Sequence, residues 1–277
     1  MRALFFNIAF AIVTIFFTLF CAVLSFVPSQ KPILWAVRRY CYRMVQVMRL
    51  IGIKPTVTGH ENIPDGPAII ASKHQSYGDG FLLVSQIKGL SFVTGDHITK
   101  FPFISRILAK MNAVVVSSCG GKELRTRLLE TSRIIHEQKR KILIFPEGHL
   151  SAVGTHHTYK RGVYHLYSDL NCPVVPVAQN LGQRWNQMDW EKYPGEAKME
   201  FLEPIPPGLE KAEFMALLQE RIETRSLELL DYDNLGALDT GTIGQQLENK
   251  SAIAAREAKE ARQAELDSKS SNGETSS

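Results

Sequence analysis

Acidic side chains are missing from the first sixty residues of this 277-residue chain, in which Glu61 is the first carboxylate. The same stretch carries seven cationic side chains: Arg2, Lys31, Arg38, Arg39, Arg43, Arg49 and Lys54. A basic, acid-free stretch beside a long apolar run is typical of a module that faces an anionic membrane. Nucleic acid is not the predicted partner, because these cations do not alternate with stacking aromatic residues.

Cysteine is scarce, and no two of the four cysteines form a CxxC pair: Cys21, Cys41, Cys119 and Cys172. This excludes a disulfide framework and indicates a reducing compartment. A Gly-x-Ser-x-Gly nucleophile elbow is also absent. Cys119, beside two glycines, is the only rival nucleophile, and we interpret it as a small residue in a turn.

Four histidines stand close together in the chain without a zinc-binding spacing or a nearby cysteine: His149, His156, His157 and His165. They predict a polar loop rather than a metal site. We therefore expect neither a metal nor a bound cofactor.

The first long element is an uncharged apolar segment from Ala3 to Val27. As a helix it would reach about 37 Å, enough to cross a hydrocarbon core of about 30 Å. A cleaved signal peptide is the alternative, but the apolar region is too long and no clear cleavage site follows. The excess of Lys and Arg after the segment predicts that the rest of the chain stays on the cytoplasmic side of the membrane.

The segment from Pro32 to Ile51 predicts a second helix. Its polar side chains fall within a sector of about 140° at 100° per residue, and apolar residues cover much of the rest. A cationic stripe on such a helix suits an anionic lipid surface. A surface helix packed on the domain is the alternative.

Beyond Thr56 the pattern predicts an α/β domain with a mostly parallel sheet flanked by helices. Strands are predicted at Ala68–Ser72, Leu90–Thr94, Ala113–Ser117, Lys141–Phe145, Val174–Ala178 and Lys198–Leu202, and helices at Gly80–Ile87, Phe103–Met111, Lys122–Gln138, Val163–Leu170 and Lys211–Leu230. We divide the chain into N-terminal membrane-anchoring helices (1–53), an α/β domain (54–232) and a charged, partly helical tail (233–277). In the tail, Gln245–Leu266 predicts a solvated helix.

Two short motifs carry the chemistry. His74 and Asp79 stand five positions apart in Lys73-His-Gln-Ser-Tyr-Gly-Asp79, directly after a predicted strand. That spacing suits a general base with an orienting carboxylate, although a polar turn in which Asp79 caps a helix is the alternative. The second motif, Phe145-Pro-Glu-Gly148, also follows a strand. Ligands of parallel sheets bind where strands end, so both motifs are expected to face one crevice.

With these motifs the chain resembles the glycerolipid acyltransferase superfamily, from about Val57 to Pro207. Tyr159-Lys-Arg-Gly162 and Pro173-Val-Val-Pro-Val177 extend the resemblance. It implies that His74 and Asp79 activate a lysolipid hydroxyl, which attacks a thioester of acyl carrier protein or coenzyme A without an acyl-enzyme. It also implies that the Phe145–Gly148 motif, namely Phe145, Pro146, Glu147 and Gly148, shapes the acceptor site. Glu147 has the alternative of simply bonding loop amides.

The chain departs from the family pattern at two arginines that form a phosphate clamp in the family. Ser118 and Leu150 stand in their places. Six cations are candidates to replace them: Lys73, Lys100, Lys122, Arg125, Lys160 and Arg161. Lys160 is the predicted substitute, because its motif matches the family's. We expect lysophosphatidate to be the acceptor at the inner, cytoplasmic membrane; a non-phosphate lysolipid such as a lyso-ornithine-type aminolipid, or an inactive lipid-binding protein, is the alternative.

Overall fold

The computed structural model describes residues 1–100, 103–116, 122–155, 157–186, 190–234 and 236–238. Within these residues the chain forms a seven-stranded sheet. In chain order the strands are β1 (Ile53–Thr58), β2 (Ala68–Ser72), β3 (Ser91–Gly95), β4 (Val114–Val116), β5 (Lys141–Ile144), β6 (Val174–Gln179) and β7 (Gly195–Phe201). Their spatial order is β1-β7-β6-β2-β5-β3-β4. All neighbouring strands are parallel except β6 and β7.

Among the described residues, seven α-helices flank this sheet: α1 (Arg2–Leu24), α2 (Lys31–Leu50), α3 (Gly78–Gln86), α4 (Ile104–Met111), α5 (Lys122–Glu137), α6 (Gly162–Leu170) and α7 (Lys211–Glu228). Short 3-10 turns lie at His60–Asn62, Asp96–Lys100, Leu181–Gln183 and Gly236–Leu238. The architecture confirms the predicted α/β class.

Strand β2 lies at the centre of the sheet, between β5 and β6. All five of its residues are buried, and alternate side chains enter two different layers. Ile69 and Ala71 pack with α5, α6 and α7, whereas Ala68 and Ile70 pack with α2 and α3. A strand buried on both faces reads as a continuous apolar run, which is why its limits could be read from the sequence.

The second helix is part of this packing. Cys41 and Val45 of α2 lie in the same apolar cluster as residues of β2 and α3. Its exposed side bears the cations Arg38, Arg39, Arg43 and Arg49 together with Trp35 and Tyr42. The helix therefore packs on the domain and also presents the predicted cationic side to the outside.

The first helix lies along the domain with one side buried. Near its start, the Phe6 ring packs edge to face on Trp185, with ring centroids 4.8 Å apart. At its end, Arg106 Nε donates to Ser25 Oγ at 3.0 Å. The other side is exposed and apolar: Leu4, Phe5, Ile8, Ile12, Ile15, Phe16, Leu19 and Val23. By length and composition α1 is the one helix, among the described residues, that could cross a membrane.

Candidate active site

The loop between β2 and α3 carries the predicted base. Strand β2 ends at Ser72, His74 follows two residues later, and α3 begins at Gly78. Because β2 and β5 are parallel neighbours, the loop after β5 lies at the same edge of the sheet. That loop contains the Phe145–Gly148 motif, so both motifs lie where α/β proteins bind ligands.

Asp79 holds both the histidine ring and its loop. Its carboxylate is completely buried. Oδ2 accepts hydrogen bonds from His74 Nδ1 at 3.0 Å, from the Gln75 amide at 2.7 Å and from the Ser76 amide at 2.9 Å. The amides lie before Asp79 in the chain, so this carboxylate closes the loop back on itself instead of capping the following helix turn.

These contacts define the tautomer of His74. A carboxylate that accepts two backbone N–H groups is an acceptor, so His74 Nδ1 must donate and Nε2 keeps the free lone pair. The ring also stacks on Phe145, with centroids 3.7 Å apart and planes 13° apart. The side chain remains 20% exposed. His74 is thus fixed in orientation and still reachable by a substrate.

Glu147 binds the backbone of His74. It is completely buried, and its Oε1 accepts the His74 backbone N–H at 3.0 Å. Its Oε2 accepts from Lys73 Nζ at 3.0 Å and from the Ser151 hydroxyl. Both carboxylate oxygens therefore bind protein groups, which is the arrangement expected for holding a loop; direct contact with an acceptor stays a prediction.

Lys73 is a buried cation. Its Nζ also donates to the Thr155 carbonyl at 2.9 Å and to both carboxylate oxygens of Glu223, at 2.9 and 2.8 Å. The Tyr159 hydroxyl donates to Glu223 Oε1 at 2.8 Å. Burial, followed by the two nearby carboxylates, raises the pKa of Tyr159, so this phenol remains a donor.

Lys160 also contacts the loop that carries the Phe145–Gly148 motif. Its backbone N–H donates to the Pro146 carbonyl at 2.7 Å. Gly148 has φ +74°, and a Cβ atom there would lie 3.2 Å from Lys160 Cγ. The lysine stem therefore lies over the glycine, and its exposed ammonium has no ion-pair partner within the described part of the chain.

Two of the four clustered histidines contact each other. The rings of His149 and His157 are 4.6 Å apart in an edge-to-face arrangement, and His149 Nδ1 donates to the Glu147 carbonyl at 2.9 Å. Burial, then the neighbouring His157, lowers the pKa of His149. No group of three metal-binding side chains occurs among the residues that the structure describes.

The structure thus brings together seven of the predicted site residues: His74, Asp79, Phe145, Pro146, Glu147, Gly148 and Lys160. Ser118, together with Cys119, lies outside the described residues. Leu150 lies two residues after Gly148 in the same loop and supplies no charge there. The roles of all these residues remain predictions.

Comparison with known proteins places this geometry in a family. The model of the acyltransferase family matches residues 54–180, which include both motifs. A 1-acyl-sn-glycerol-3-phosphate acyltransferase of Pseudomonas aeruginosa is 32% identical over 169 residues, 61% of this chain and 66% of that protein. The chain is a member of the glycerolipid acyltransferase superfamily.

Other members of the superfamily extend the comparison. A 1-acyl-sn-glycerol-3-phosphate acyltransferase of Saccharomyces cerevisiae is 28% identical over 146 residues, 52% of this chain and 48% of that protein. The matches thus span less than two thirds of either relative. The crystal structure of the 1-acyl-sn-glycerophosphate (LPA) acyltransferase PlsC from Thermotoga maritima has a TM-score of 0.69 at 21% identity, covering 83% of this chain and 98% of that one. It confirms the fold.

Three side chains of the site were not predicted from the sequence: Lys73, Tyr159 and Glu223. Tyr159 belongs to a recognised motif of the superfamily, but nothing in the motif indicates that its hydroxyl reaches a carboxylate. Glu223 lies on α7, outside the matched region. The only signal for Glu223 in the sequence is its place in a predicted amphipathic helix directly after the apolar Ile222, which the structure buries completely.

Proposed function

We propose that this protein is a membrane-associated O-acyltransferase that moves a fatty acyl group from a thioester to the hydroxyl of a lysolipid. The observation that carries the proposal is the 3.0 Å contact between His74 Nδ1 and Asp79 Oδ2, which places the lone pair of the neutral imidazole on Nε2. A base at this position suits an activated thioester donor, for which positioning and one proton transfer suffice. Membership of the superfamily supports the reaction class.

The chemistry follows from the free nitrogen. His74 Nε2 accepts the proton of the acceptor hydroxyl while the oxygen attacks the thioester carbonyl carbon, and Asp79 stabilises the imidazolium that forms. The tetrahedral intermediate then collapses, the C–S bond breaks, and the imidazolium returns the proton to the leaving sulfur. The products are an ester and a free thiol, and the base is neutral again. No protein side chain bonds to the acyl group.

Lysophosphatidate is the proposed acceptor, with phosphatidate as the product in phospholipid biosynthesis. With Ser118 and Leu150 replacing the arginines, the phosphate needs another cation. Lys160 supports this assignment because its ammonium is exposed and unpaired among the described residues and its stem lies over Gly148. The second candidate acceptor is a phosphate-free lysolipid such as a lyso-ornithine-type aminolipid, and the leucine in place of an arginine favours it. The donor is acyl-acyl carrier protein or acyl-CoA.

Membrane association is proposed to come from α1 and α2. The apolar side of α1 is exposed although the opposite side is packed on the domain, and the cations of α2 flank it in sequence. Because both ends of α1 contact the domain, we propose that the helix enters the bilayer surface with its exposed side instead of leading away from the domain. We place the site at the cytoplasmic face of the inner membrane.

The test is an acyl-transfer assay of the purified full chain with lysophosphatidate and a lyso-ornithine lipid, each with acyl-CoA and acyl-acyl carrier protein. We expect ester formation with lysophosphatidate. Lys160→Ala should lower kcat/KM for that acceptor by about 10-fold or more, since a charge-assisted contact is worth roughly 1.5–3 kcal/mol, and should leave the phosphate-free acceptor unchanged.

Other outcomes of the assay decide between the alternatives. Turnover of the lyso-ornithine lipid alone would replace the proposed acceptor. Equal small effects of Lys160→Ala on both acceptors would remove Lys160 from phosphate binding. Lipid binding without ester formation from any donor and acceptor would establish an inactive lipid-binding protein.

A further inference from the structure

Lys73, directly before the base, is buried among two carboxylates from distant parts of the chain. Its side chain is 1% exposed, against 0% for Glu147 and 14% for Glu223. The Lys73 ammonium therefore pairs with two carboxylates, Glu147 from the loop after β5 and Glu223 from α7. Such a lysine is not available to a substrate, so it is excluded as a substitute for the missing phosphate-binding arginines.

The charges of this cluster do not balance pairwise. Two carboxylates face one cation, and the remaining negative charge is met by neutral donors, the hydroxyls of Tyr159 and Ser151. Burying a charge without a partner is strongly unfavourable. Lys73 is therefore what allows Glu147 and Glu223 to lie close to each other.

The same cluster fixes the backbone at the base. Glu147 Oε1 accepts the His74 N–H, and the Ser151 N–H donates to the His74 carbonyl at 2.7 Å. One residue earlier, the Lys73 carbonyl accepts from Gln179 Nε2 at 2.7 Å. Both backbone polar groups of His74 are thus bound by residues of the Phe145–Ser151 loop that also contact each other through Glu147.

We propose that Lys73 and Glu223 are positioning residues for His74. The chain of contacts runs from Glu223 on α7 through Lys73 to Glu147 and then to the His74 backbone. The ion-paired cluster, not any one side chain in it, sets where Nε2 stands relative to the bound substrates. The assignment rests on the proposed function of His74 as the base. It extends the site beyond the matched family region to α7.

The test is a charge-balanced pair of substitutions. Lys73→Met leaves the buried Glu147 carboxylate and the largely buried Glu223 carboxylate facing each other without a cation, so they repel and the Glu147 loop shifts. A displacement of about 1 Å can lower the rate about 100-fold, and we expect a loss of kcat of that order with KM changed less than about threefold. Glu223→Gln keeps an oxygen for Lys73 and Tyr159 and should lower kcat by less than about threefold.

The double variant decides the proposal. In K73M/E223Q the cation and one carboxylate are removed together, so the cluster regains its original net charge. We expect kcat to rise at least about 10-fold above that of K73M, an interaction that independent sites do not show. Lys198 and Glu196 form a matched, exposed pair with a 3.5 Å contact; K198M, E196Q and their combination should all stay near wild-type activity.

Two results would overturn the assignment: a K73M variant with more than half of the wild-type kcat, or a double variant no more active than K73M. Thermal unfolding of each variant identifies losses that come from unfolding. Ring spectra of His74 by nitrogen-15 NMR, assigned with His74→Ala, give a readout independent of turnover: its signals should move in K73M and return in K73M/E223Q. If wild-type protein acylated no acceptor, the proposed function would fail and the ring spectra would still decide the positioning role.

Discussion

A single carboxylate oxygen orients the proposed base, His74, and its loop. Asp79 Oδ2 binds the imidazole and two loop amides, and Phe145 restrains the ring from its face. Orientation and tautomer are therefore set before any substrate arrives, which lowers the reorganisation that the reaction requires. The five-residue spacing predicted the ring contact, because Asp79 in the first turn of α3 can fold back to His74.

We expect His74→Ala to lower kcat by about 10² to 10⁴ with little change in thermal stability, since loss of a general base typically has this effect. Asp79→Asn should lower kcat by roughly 10², because a neutral amide neither stabilises the imidazolium nor secures the tautomer. It should also lower the melting temperature, since two buried amides lose a charged acceptor. Steady-state kinetics and thermal unfolding measure the two effects, and kcat within a factor of two of wild type for His74→Ala would contradict the mechanism.

Other residues of the site could not be predicted, for a physical reason. A buried charged residue can be recognised only when its partner is known, and Lys73 and Glu223 are 150 positions apart. Lys73 looks like a surface lysine when its loop is read alone, and Glu223 is one of many acids on an amphipathic helix. Only the three-dimensional arrangement shows that these side chains are buried together.

At the scale of elements, the pattern of apolar runs predicted six strands and seven helices near their observed positions. Strand β2 was predicted with its observed limits, because both of its faces are buried. Strand β1 was not predicted. It lies at the sheet edge and, after the buried Ile53, alternates exposed and partly buried residues. It also contains Pro55, which breaks the pattern and is tolerated at an edge. The predicted helix at Gln245–Leu266 lies outside the described residues.

The exposed side of α1 gives the prediction at this scale. Removing residues 1–53 would be a poor test of membrane binding, because α2 covers part of the core with Cys41 and Val45. Replacing Ile8, Ile12 and Ile15 by Asn changes only side chains that are more than half exposed. Each buried isoleucine contributes about 1.5–3 kcal/mol, so vesicle binding should weaken at least about 100-fold in a flotation assay at high salt, which screens the cations of α2.

The control for α1 uses the opposite layer of the fold. Ile134 on α5 and Leu227 on α7 are also exposed, and their helices pack on the other face of the sheet. I134N/L227N should float with vesicles as the wild type does. Binding of the α1 variant at wild-type strength would show that the protein is held at the membrane by another surface.

At the scale of the whole molecule, Arg184 connects the segment after α7 to strand β7. This side chain is completely buried, and burial lowers its pKa although Asp231 opposes the effect. Its guanidinium donates to the Glu196 carbonyl, the Asn234 carbonyl and the Asp231 carboxylate, at 2.9, 2.8 and 2.5 Å. Contacts therefore continue past the predicted domain boundary at 232, as far as the buried Ala237.

This arrangement predicts different outcomes for two truncations. Removing residues 245–277 leaves every contact of Arg184 in place, so activity and melting temperature should match the full chain. Removing residues 229–277 takes away two of the three groups that Arg184 binds and leaves a buried charge partly unpaired. Breaking a buried pair in this way costs about 3–5 kcal/mol, which for a domain of this size lowers the melting temperature by roughly 6–20 °C.

Arg184→Met in the full chain is the matched variant. Because methionine carries no charge, it should destabilise less than the longer truncation, and combining the two should add little to the truncation alone. A severe loss of turnover on removing 245–277 alone would show that the tail contributes to the site; an unchanged melting temperature on removing 229–277 would show that Arg184 finds other partners.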